Sequence, residues 1–174
     1  MTEASELVAA LTTYREARRA VLAVARRPHS NRDPIVEWAE ALVETVTGGK
    51  RVDSPVQAGY DVVDPLGRHI EIRTLQNSPG VPWVNEHSVA AAAARDLYAL
   101  VVFVDLTVLG VIVIDLGSLP QLGMALRKRH AGLDHRLELT AANIKAMLDQ
   151  PSRFASVGVT VYRPSAWISD PGAR

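Results

Sequence analysis

The chain has 174 residues, a formal net charge of zero and no cysteine. This length is typical of one domain with a sizeable core, and the lack of cysteine excludes disulfides, zinc–thiolate centres and thiol catalysis. The balance of 19 basic and 19 acidic residues argues against nucleic-acid binding by bulk charge, although it leaves room for a local basic surface. Acids stand where a signal peptide has basic residues, and the most apolar stretch, residues 98–116, contains Asp105 and Asp115. We therefore expect a cytoplasmic protein with no membrane span.

A first helix is predicted over residues 3–26, where Leu7, Leu11 and Tyr14 fall near one apolar stripe. The polar break that follows is rich in arginine. Arg27 and Arg32 in this break are the best candidates for a phosphate-facing surface. Such charge runs are also typical of solvated helix faces.

A second helix is predicted over residues 35–47. Asp33 is its N-cap, Pro34 occupies its first position, and a Gly-Gly pair ends it. Glu37 lies in its first turn, where a negative charge suits the helix dipole. The dipole alone accounts for this acid, so a functional role depends on what lies across from it.

Three strands are predicted next, over residues 50–57, 59–63 and 68–75. The sequence DPLG predicts a hairpin turn between the last two. Pro65 presets φ for a type I turn, and Gly67 can take the left-handed conformation of a three-residue loop with a bulge. Such a loop pairs Asp64 with Arg68 and thereby sets the register of both strands.

The predicted register places Asp61 opposite Glu71. Directly opposed side chains have Cβ atoms about 4.5–5.5 Å apart, and like charges there are destabilising. A hard divalent cation, with oxygen ligands at roughly 2.0–2.6 Å, would explain two carboxylates at this distance. Arg73, two residues along the same face, would explain them equally well by neutralising both. His69 also shares this face, where it could assist, although an exposed strand histidine is more often inert.

The rest of the chain mixes helices and strands. An alanine-rich helix capped by Ser88 is predicted over residues 88–97, and this helix or an edge strand could form a homodimer contact. Two near-continuous apolar strands follow, which is the pattern of strands covered on both faces. The remaining predicted elements are strands at 98–105 and 108–114, a helix opened by a capping box at Ser118 and ending in the basic residues 127–130, a helix at 141–149 capped by Thr140, and a strand at 154–162.

This order of elements, with its three acids, resembles the PD-(D/E)XK, or restriction-endonuclease-like, nuclease superfamily. That family has an α-β-β-β-α-β core with an acid on the second strand, a Glu-x-Lys on the third and, in many members, a glutamate on the first helix. The matching residues are Glu37 in IVEWAEALV, Asp61 in GYDVVD and Glu71-Ile72-Arg73 in HIEIRTL. The resemblance covers about residues 35–116.

The resemblance implies an α/β fold with a mixed sheet and extra N- and C-terminal helices. It implies one domain over residues 1–174, in which residues 1–32 form a helix and basic loop, residues 33–116 the nuclease-like core, and residues 117–174 a C-terminal helical extension.

The resemblance also implies a Mg²⁺- or Mn²⁺-dependent nuclease that hydrolyses phosphodiester bonds of DNA. Asp61, Glu71 and the carbonyl of Ile72 would hold the metal, and Glu37 would reach it directly or through water. The implied catalytic residues are Glu37, Asp61, Glu71 and Arg73, and the implied DNA-backbone contacts are Arg27, Arg32 and Arg68.

Arg73 departs from the family pattern, which has lysine at this position. Arginine stays protonated to about pH 12 and cannot act as a base. It could still orient water or bind a phosphate oxygen, and it could instead lock both carboxylates into an inert salt cluster. The alternative is therefore a catalytically inactive protein on the same fold, which binds nucleic acid or another protein.

Overall fold

The computed structural model describes residues 3–53, 59–77, 87–128 and 136–166, and it has a mixed α/β architecture. The helices are α1 (Glu3–Val24), α2 (Pro34–Thr47), α3 (Leu119–Ala125), α4 (Ala141–Asp149) and α5 (Pro151–Ala155). The strands are β1 (Lys50–Arg51), β2 (Val62–Val63), β3 (His69–Asn77), β4 (His87–Ala90), β5 (Leu97–Val104), β6 (Thr107–Asp115), β7 (Arg136–Leu139) and β8 (Val159–Tyr162). Short 3₁₀ turns lie at Leu116–Ser118 and Pro164–Ala166.

Six strands form one mixed sheet in the order β1-β2-β3-β5-β6-β8. Neighbouring strands are antiparallel except β3 and β5, which run parallel. β4 and β7 pair separately as a two-stranded antiparallel sheet. Because β8 adds to the edge of the main sheet, the segment after residue 116 contributes a strand to it as well as helices.

The main sheet is covered on both faces, as the apolar runs of β5 and β6 predicted. On one face, α2 packs through Ala39 and Val43 against Ile70 and Ile72 of β3. The other face is covered by residues of α3, α4, α5 and the small sheet, including Leu122, Ile144, Met147, Phe154, Val89 and Leu137. Since side chains alternate along a strand, Glu71 projects away from α2.

The hairpin turn has the predicted geometry. The Asp64 N–H donates to the carbonyl of Arg68 at 2.9 Å, and the Gly67 N–H donates to the carbonyl of Asp64 at 3.0 Å. Gly67 has φ +81°. The Asp64 carboxylate also accepts hydrogen bonds from the N–H groups of Leu66 and Arg68, both at 2.9 Å. The turn therefore holds the register of β2 and β3 through backbone and side chain together.

The boundaries of the first three strands differ from prediction. β1 and β2 contain two residues each, and β3 continues to Asn77. Part of the predicted first strand, residues 54–58, lies outside the described residues. Residues 78–86 and 167–174 also lie outside them.

The predicted alanine-rich helix at residues 88–97 is wrong. Residues His87–Ala90 form β4, where Val89 is fully buried and pairs with Leu137, and the chain then turns through exposed alanines into β5. Helix propensity is a small preference that tertiary pairing overrides. The homodimer contact expected on this helix therefore has no basis in the described residues.

The C-terminal predictions are partly right. Thr140 and Asn143 form a full capping box at the start of α4. Ser118 makes no side-chain cap, and α3 ends at Ala125, before the basic run. The predicted strand at 154–162 is confirmed only over Val159–Tyr162, because α5 occupies Pro151–Ala155.

α1 contacts the domain mainly through its C-terminal end. Leu22 is fully buried, whereas Leu7, Leu11 and Tyr14 are 55–67% exposed, so the apolar stripe of α1 lies largely in solvent. Among the described helices, none is long and apolar enough to cross a membrane.

We predict that Gly67→Ala destabilises the protein by about 1–2 kcal/mol, because an L-residue pays a steric penalty in the left-handed region. A Cβ at this position meets no atom within 4 Å, so the loss reports backbone conformation alone. Urea unfolding measures it. Gly67→Asn is the matched control and should lose less, since asparagine tolerates this conformation. Equal stability of Gly67→Ala and the wild type would contradict the turn assignment.

Candidate functional site

The site forms where β2 diverges from β3. Val62 pairs with Ile70, and the pairing of β2 with β3 ends there, so the predicted opposition of Asp61 and Glu71 stays a prediction. The Asp61 N–H still donates to the carbonyl of Ile70 at 2.9 Å. Beyond this point a side chain replaces the backbone, because Asp61 Oδ2 accepts the N–H of Ile72 at 2.7 Å. Asp61 is thereby held at the open edge of β3, where it is about nine-tenths buried.

Two guanidinium groups bind the carboxylate of Glu71. Arg73 Nη2 lies 2.5 Å from Oε1, and Arg95 Nη1 forms an ion pair with Oε2. Arg95 also donates from Nε to the carbonyl of Gly59 at 2.9 Å. Glu71 is only 5% exposed, whereas the Arg73 side chain is 57% exposed. Arg73 therefore contacts Glu71, one of the two acids that it was predicted to neutralise, and Arg95 contacts the same carboxylate.

Arg32 connects α2 to the same edge. Its guanidinium makes a two-pronged contact with Glu40, at 2.5 and 3.2 Å, and lies 3.5 Å from Oε1 of Glu37. The hydrogen bond to Glu40 raises the pKa of Arg32, and the nearby charges of Glu40, Glu37 and Asp61 add to this effect. Arg32 therefore remains a cation that several carboxylates share.

Two of the three glutamates of α2, Glu37 and Glu40, are buried. Burial raises the pKa of Glu40 in spite of its contact with Arg32. Glu37 accepts a 2.6 Å hydrogen bond from Ser30 at Oε1, while its Oε2 is buried without a hydrogen-bond partner among the described residues. An unpaired buried carboxylate oxygen is costly, and groups of this kind call for a physical explanation.

A pocket of about 320 Å³ lies over this edge. It is lined by Arg32, Gly59, Tyr60, Asp61, Glu71, Arg73 and Arg95. The structure thus brings four of the predicted site residues together at one pocket: Arg32, Asp61, Glu71 and Arg73. Glu37 lies behind this group, since it contacts Arg32 but does not line the pocket.

Two predicted phosphate contacts lie elsewhere. Arg27 donates to the carbonyl of Val52 at 3.3 Å and does not line the pocket. Arg68 binds the Asp64 carboxylate, with Nε 2.8 Å from Oδ2, and so belongs to the hairpin turn. The sequence pattern could not separate these arginines from Arg32, because distance from the acids depends on how the loop before α2 folds back.

Sequence reasoning missed Arg95, Tyr60 and Glu40. Arg95 was assigned to the erroneous alanine-rich helix, so its side chain was not expected near β3. Tyr60 precedes Asp61 directly, and an aromatic residue beside a candidate ligand was an available signal. Glu40 follows Glu37 by three residues, so both lie on one side of the helix. This spacing was the available sign that both could share one cation.

A hydrogen-bonded aromatic pair adjoins Glu71 along the same face. Tyr98 pairs with Glu71 across β3 and β5, and its Oη lies 2.6 Å from Nε2 of His87. Burial raises the pKa of Tyr98 above its usual range, and the charge of Glu71 adds to this effect. Burial also lowers the pKa of His87. Both groups are therefore neutral at pH 7 and add no charge to the site.

The atoms at this edge are oxygens, the kind of ligand that a hard cation binds. They are too few to complete its coordination. No three carboxylate or imidazole side chains of the described residues converge as a metal-binding group. The available donors are the Asp61 and Glu71 carboxylates and the carbonyl of Ile72, which leaves β3 on the same side as its N–H. The hydrogen bond from the Ile72 N–H engages Oδ2 of Asp61. The unpaired Glu37 Oε2 adds a further acceptor nearby.

Comparison with known proteins does not identify the chain. No model of a protein family matches it, and no curated protein sequence is significantly similar.

We predict that Arg32→Gln lowers the free energy of unfolding by about 1–3 kcal/mol, because it leaves the buried carboxylates of Glu37 and Glu40 without a cation. Adding Glu40→Gln should recover part of this loss, since one buried charge is then removed. Urea unfolding of both variants and of Glu40→Gln alone completes a double-mutant cycle.

The matched control is Arg136→Gln, which breaks the surface pair with Glu138 and should cost less than about 1 kcal/mol. Strict additivity of the Arg32 and Glu40 substitutions would contradict a direct energetic coupling between them.

Proposed function

We propose that this protein is a Mg²⁺- or Mn²⁺-dependent nuclease that hydrolyses phosphodiester bonds of DNA. The observation that carries the proposal is that Asp61 and Glu71 line one pocket at the edge of β3, where Asp61 accepts the Ile72 N–H. Carboxylate oxygens at an open sheet edge are ligands of the kind that a hard divalent cation binds.

The strand arrangement supports the same reading. β1, β2 and β3 form an antiparallel unit, β5 runs parallel to β3, and α2 packs on this unit. This agrees with the strand part of the core that the sequence resembles, with the acids on its second and third strands. The helix that the resemblance places before β5 has no counterpart in residues 87–96.

The chain offers oxygen donors that would hold such a cation. Asp61, Glu71 and the Ile72 carbonyl would be its direct ligands, and Glu37 would act through the unpaired Oε2 behind Arg32. When bound, the metal would polarise the phosphodiester, lower the pKa of a bound water and stabilise charge in the transition state.

The arginines at the pocket would first compete with the cation and then assist it. Arg73 and Arg95 are 57% and 28% exposed, whereas the Glu71 side chain is only 6% exposed. Because an unpaired buried carboxylate is costly, the arginines would leave Glu71 only as the cation takes their place. Once released, their guanidinium groups can donate to phosphate oxygens in the same pocket. Because Arg73 stays protonated, it positions the phosphate and does not accept a proton from water.

We predict that the wild-type protein binds Mn²⁺ and that Asp61→Asn abolishes this binding, as measured by calorimetric titration. Asparagine keeps an oxygen that can accept the Ile72 N–H, so the local structure should persist while the charge is lost. Cleavage of plasmid DNA in Mg²⁺ or Mn²⁺ should disappear in the same variant.

The matched control is Asp149→Asn, an exposed acid on α4 that pairs with Lys145 and should leave titration and cleavage unchanged. The proposal fails if the wild type shows no metal binding even with DNA present, or if Asp61→Asn binds Mn²⁺ as the wild type does.

A second candidate function is nucleic-acid binding without cleavage. The observation that favours it is the occupation of both Glu71 oxygens by arginines, with lysine missing from the position of Arg73. In this alternative the carboxylates permanently orient the guanidinium groups, which in turn bind phosphate.

Arg73→Lys separates the two candidates. A nuclease should retain or increase metal-dependent plasmid cleavage, because lysine restores the residue of the resembled family. A binding protein should not cleave the plasmid with either arginine or lysine at position 73, and it should still bind DNA in a gel-shift assay. Arg136→Lys, on the distant β7, is the control and should behave as the wild type in both assays.

A further inference from the structure

The residue before Asp61 departs from regular strand geometry. Val62 and Ile70 share one face and His69 shares the other, so a regular strand would place Tyr60 on the Ile70 face. Instead the chain bends over residues 59–61, with φ +76° at Gly59. The bend turns the Tyr60 ring onto His69, with ring centroids 3.9 Å apart and planes within 4° of parallel.

Hydrogen bonds to the backbone of Gly59 and His69 hold this stacked pair in place. The carbonyl of Gly59 accepts a hydrogen bond from Arg95, which also contacts Glu71. The backbone of His69 is bound at both ends by Asp96, whose carboxylate accepts its N–H at 2.8 Å and whose N–H donates to its carbonyl at 2.9 Å. Both rings are therefore preorganised, which limits the entropy lost when a further ring stacks on them.

The ring pair also adjoins the pocket arginines, which would bind phosphate. Tyr60 lines the pocket together with Arg32, Arg73 and Arg95, and both Tyr60 and His69 are only partly buried. Aromatic rings beside cationic side chains are the combination that binds single-stranded nucleic acid, because bases stack on rings while phosphates contact cations.

We infer that the Tyr60–His69 ring pair is a stacking surface for an unpaired nucleobase whose adjoining phosphate lies against the pocket arginines. The inference rests on the proposed action on nucleic acid and narrows its substrate to single strands, ends or locally opened duplex. A base inside a duplex has both faces covered by its neighbours, so it cannot stack on a protein ring without leaving the helix. Stacking also fits a protein with zero net charge, which gains little from bulk attraction to DNA.

The test compares two labelled strands by fluorescence anisotropy. One is an oligothymidine of about 12 nucleotides, and the other has the same phosphates with abasic sugars throughout. Measurements are made in EDTA and again in Ca²⁺. The wild type should bind the thymine strand about tenfold or more tightly than the abasic strand, since only the former can stack.

Three variants assign this preference to the ring pair. Tyr60→Leu should lower affinity for the thymine strand to the abasic value while leaving abasic binding unchanged. Tyr60→Phe should keep the preference, because it keeps the ring. Tyr14→Leu, which removes a 55% exposed tyrosine on α1, should match the wild type.

The outcomes separate this inference from the proposed function. Equal wild-type affinity for both strands, or a preference that survives in Tyr60→Leu, overturns the stacking surface and leaves nucleic-acid binding intact. No binding of either strand in either buffer overturns the stacking surface, and metal-dependent plasmid cleavage then decides the proposed function by itself. The comparison of the two strands uses the wild-type protein, so its result tests the inference even if a variant misfolds.

Discussion

The register of the β2–β3 hairpin is the constraint on which the site depends. Gly67 and the Asp64 carboxylate close the turn, and a shift of one residue would send every side chain of β3 to the opposite face. With the observed register, Ile70 and Ile72 enter the core under α2 while Glu71 projects to the other side and lines the same pocket as Asp61. The same register sets Glu71 beside Tyr98 on β5. Core packing and the acid pair are therefore consequences of one turn.

Buried charge is the second determinant of the site. Glu37, Glu40, Asp61 and Glu71 are all largely buried, and they outnumber the three arginines that neutralise them. Burying a carboxylate is costly unless it is paired and hydrogen-bonded, so the arginines are required by the fold whatever the protein does. The remaining excess of acid, together with the unpaired oxygen of Glu37, is what the proposed cation would balance. Stability and function thus act on the same side chains.

The arginines also connect parts of the chain that are distant in sequence. Arg32 joins the loop before α2 to the open edge, and Arg95 joins the segment before β5 to both Gly59 and Glu71. Because Arg95 contacts both Gly59, next to Tyr60, and the Glu71 carboxylate, it couples the position of the Tyr60 ring to that carboxylate. A ligand that drew Arg95 away from Glu71 would therefore act on the stacked pair as well.

Local patterns in the sequence determined much of this structure. The DPLG turn, the N-cap of α2, the capping box of α4 and the two apolar strands are short-range signals, and each is present in the fold. From the turn alone, counting placed Asp61 and Glu71 near each other, and both line one pocket. Only the tertiary structure decided the rest, because long-range contacts override local preference. Pairing with β7 made residues 87–90 a strand despite their alanine-rich surroundings, and the resulting path carried Arg95 to Glu71. The bend that stacks Tyr60 on His69, and the choice of Arg32 over Arg27 and Arg68, likewise depend on neighbours that the sequence does not place in contact.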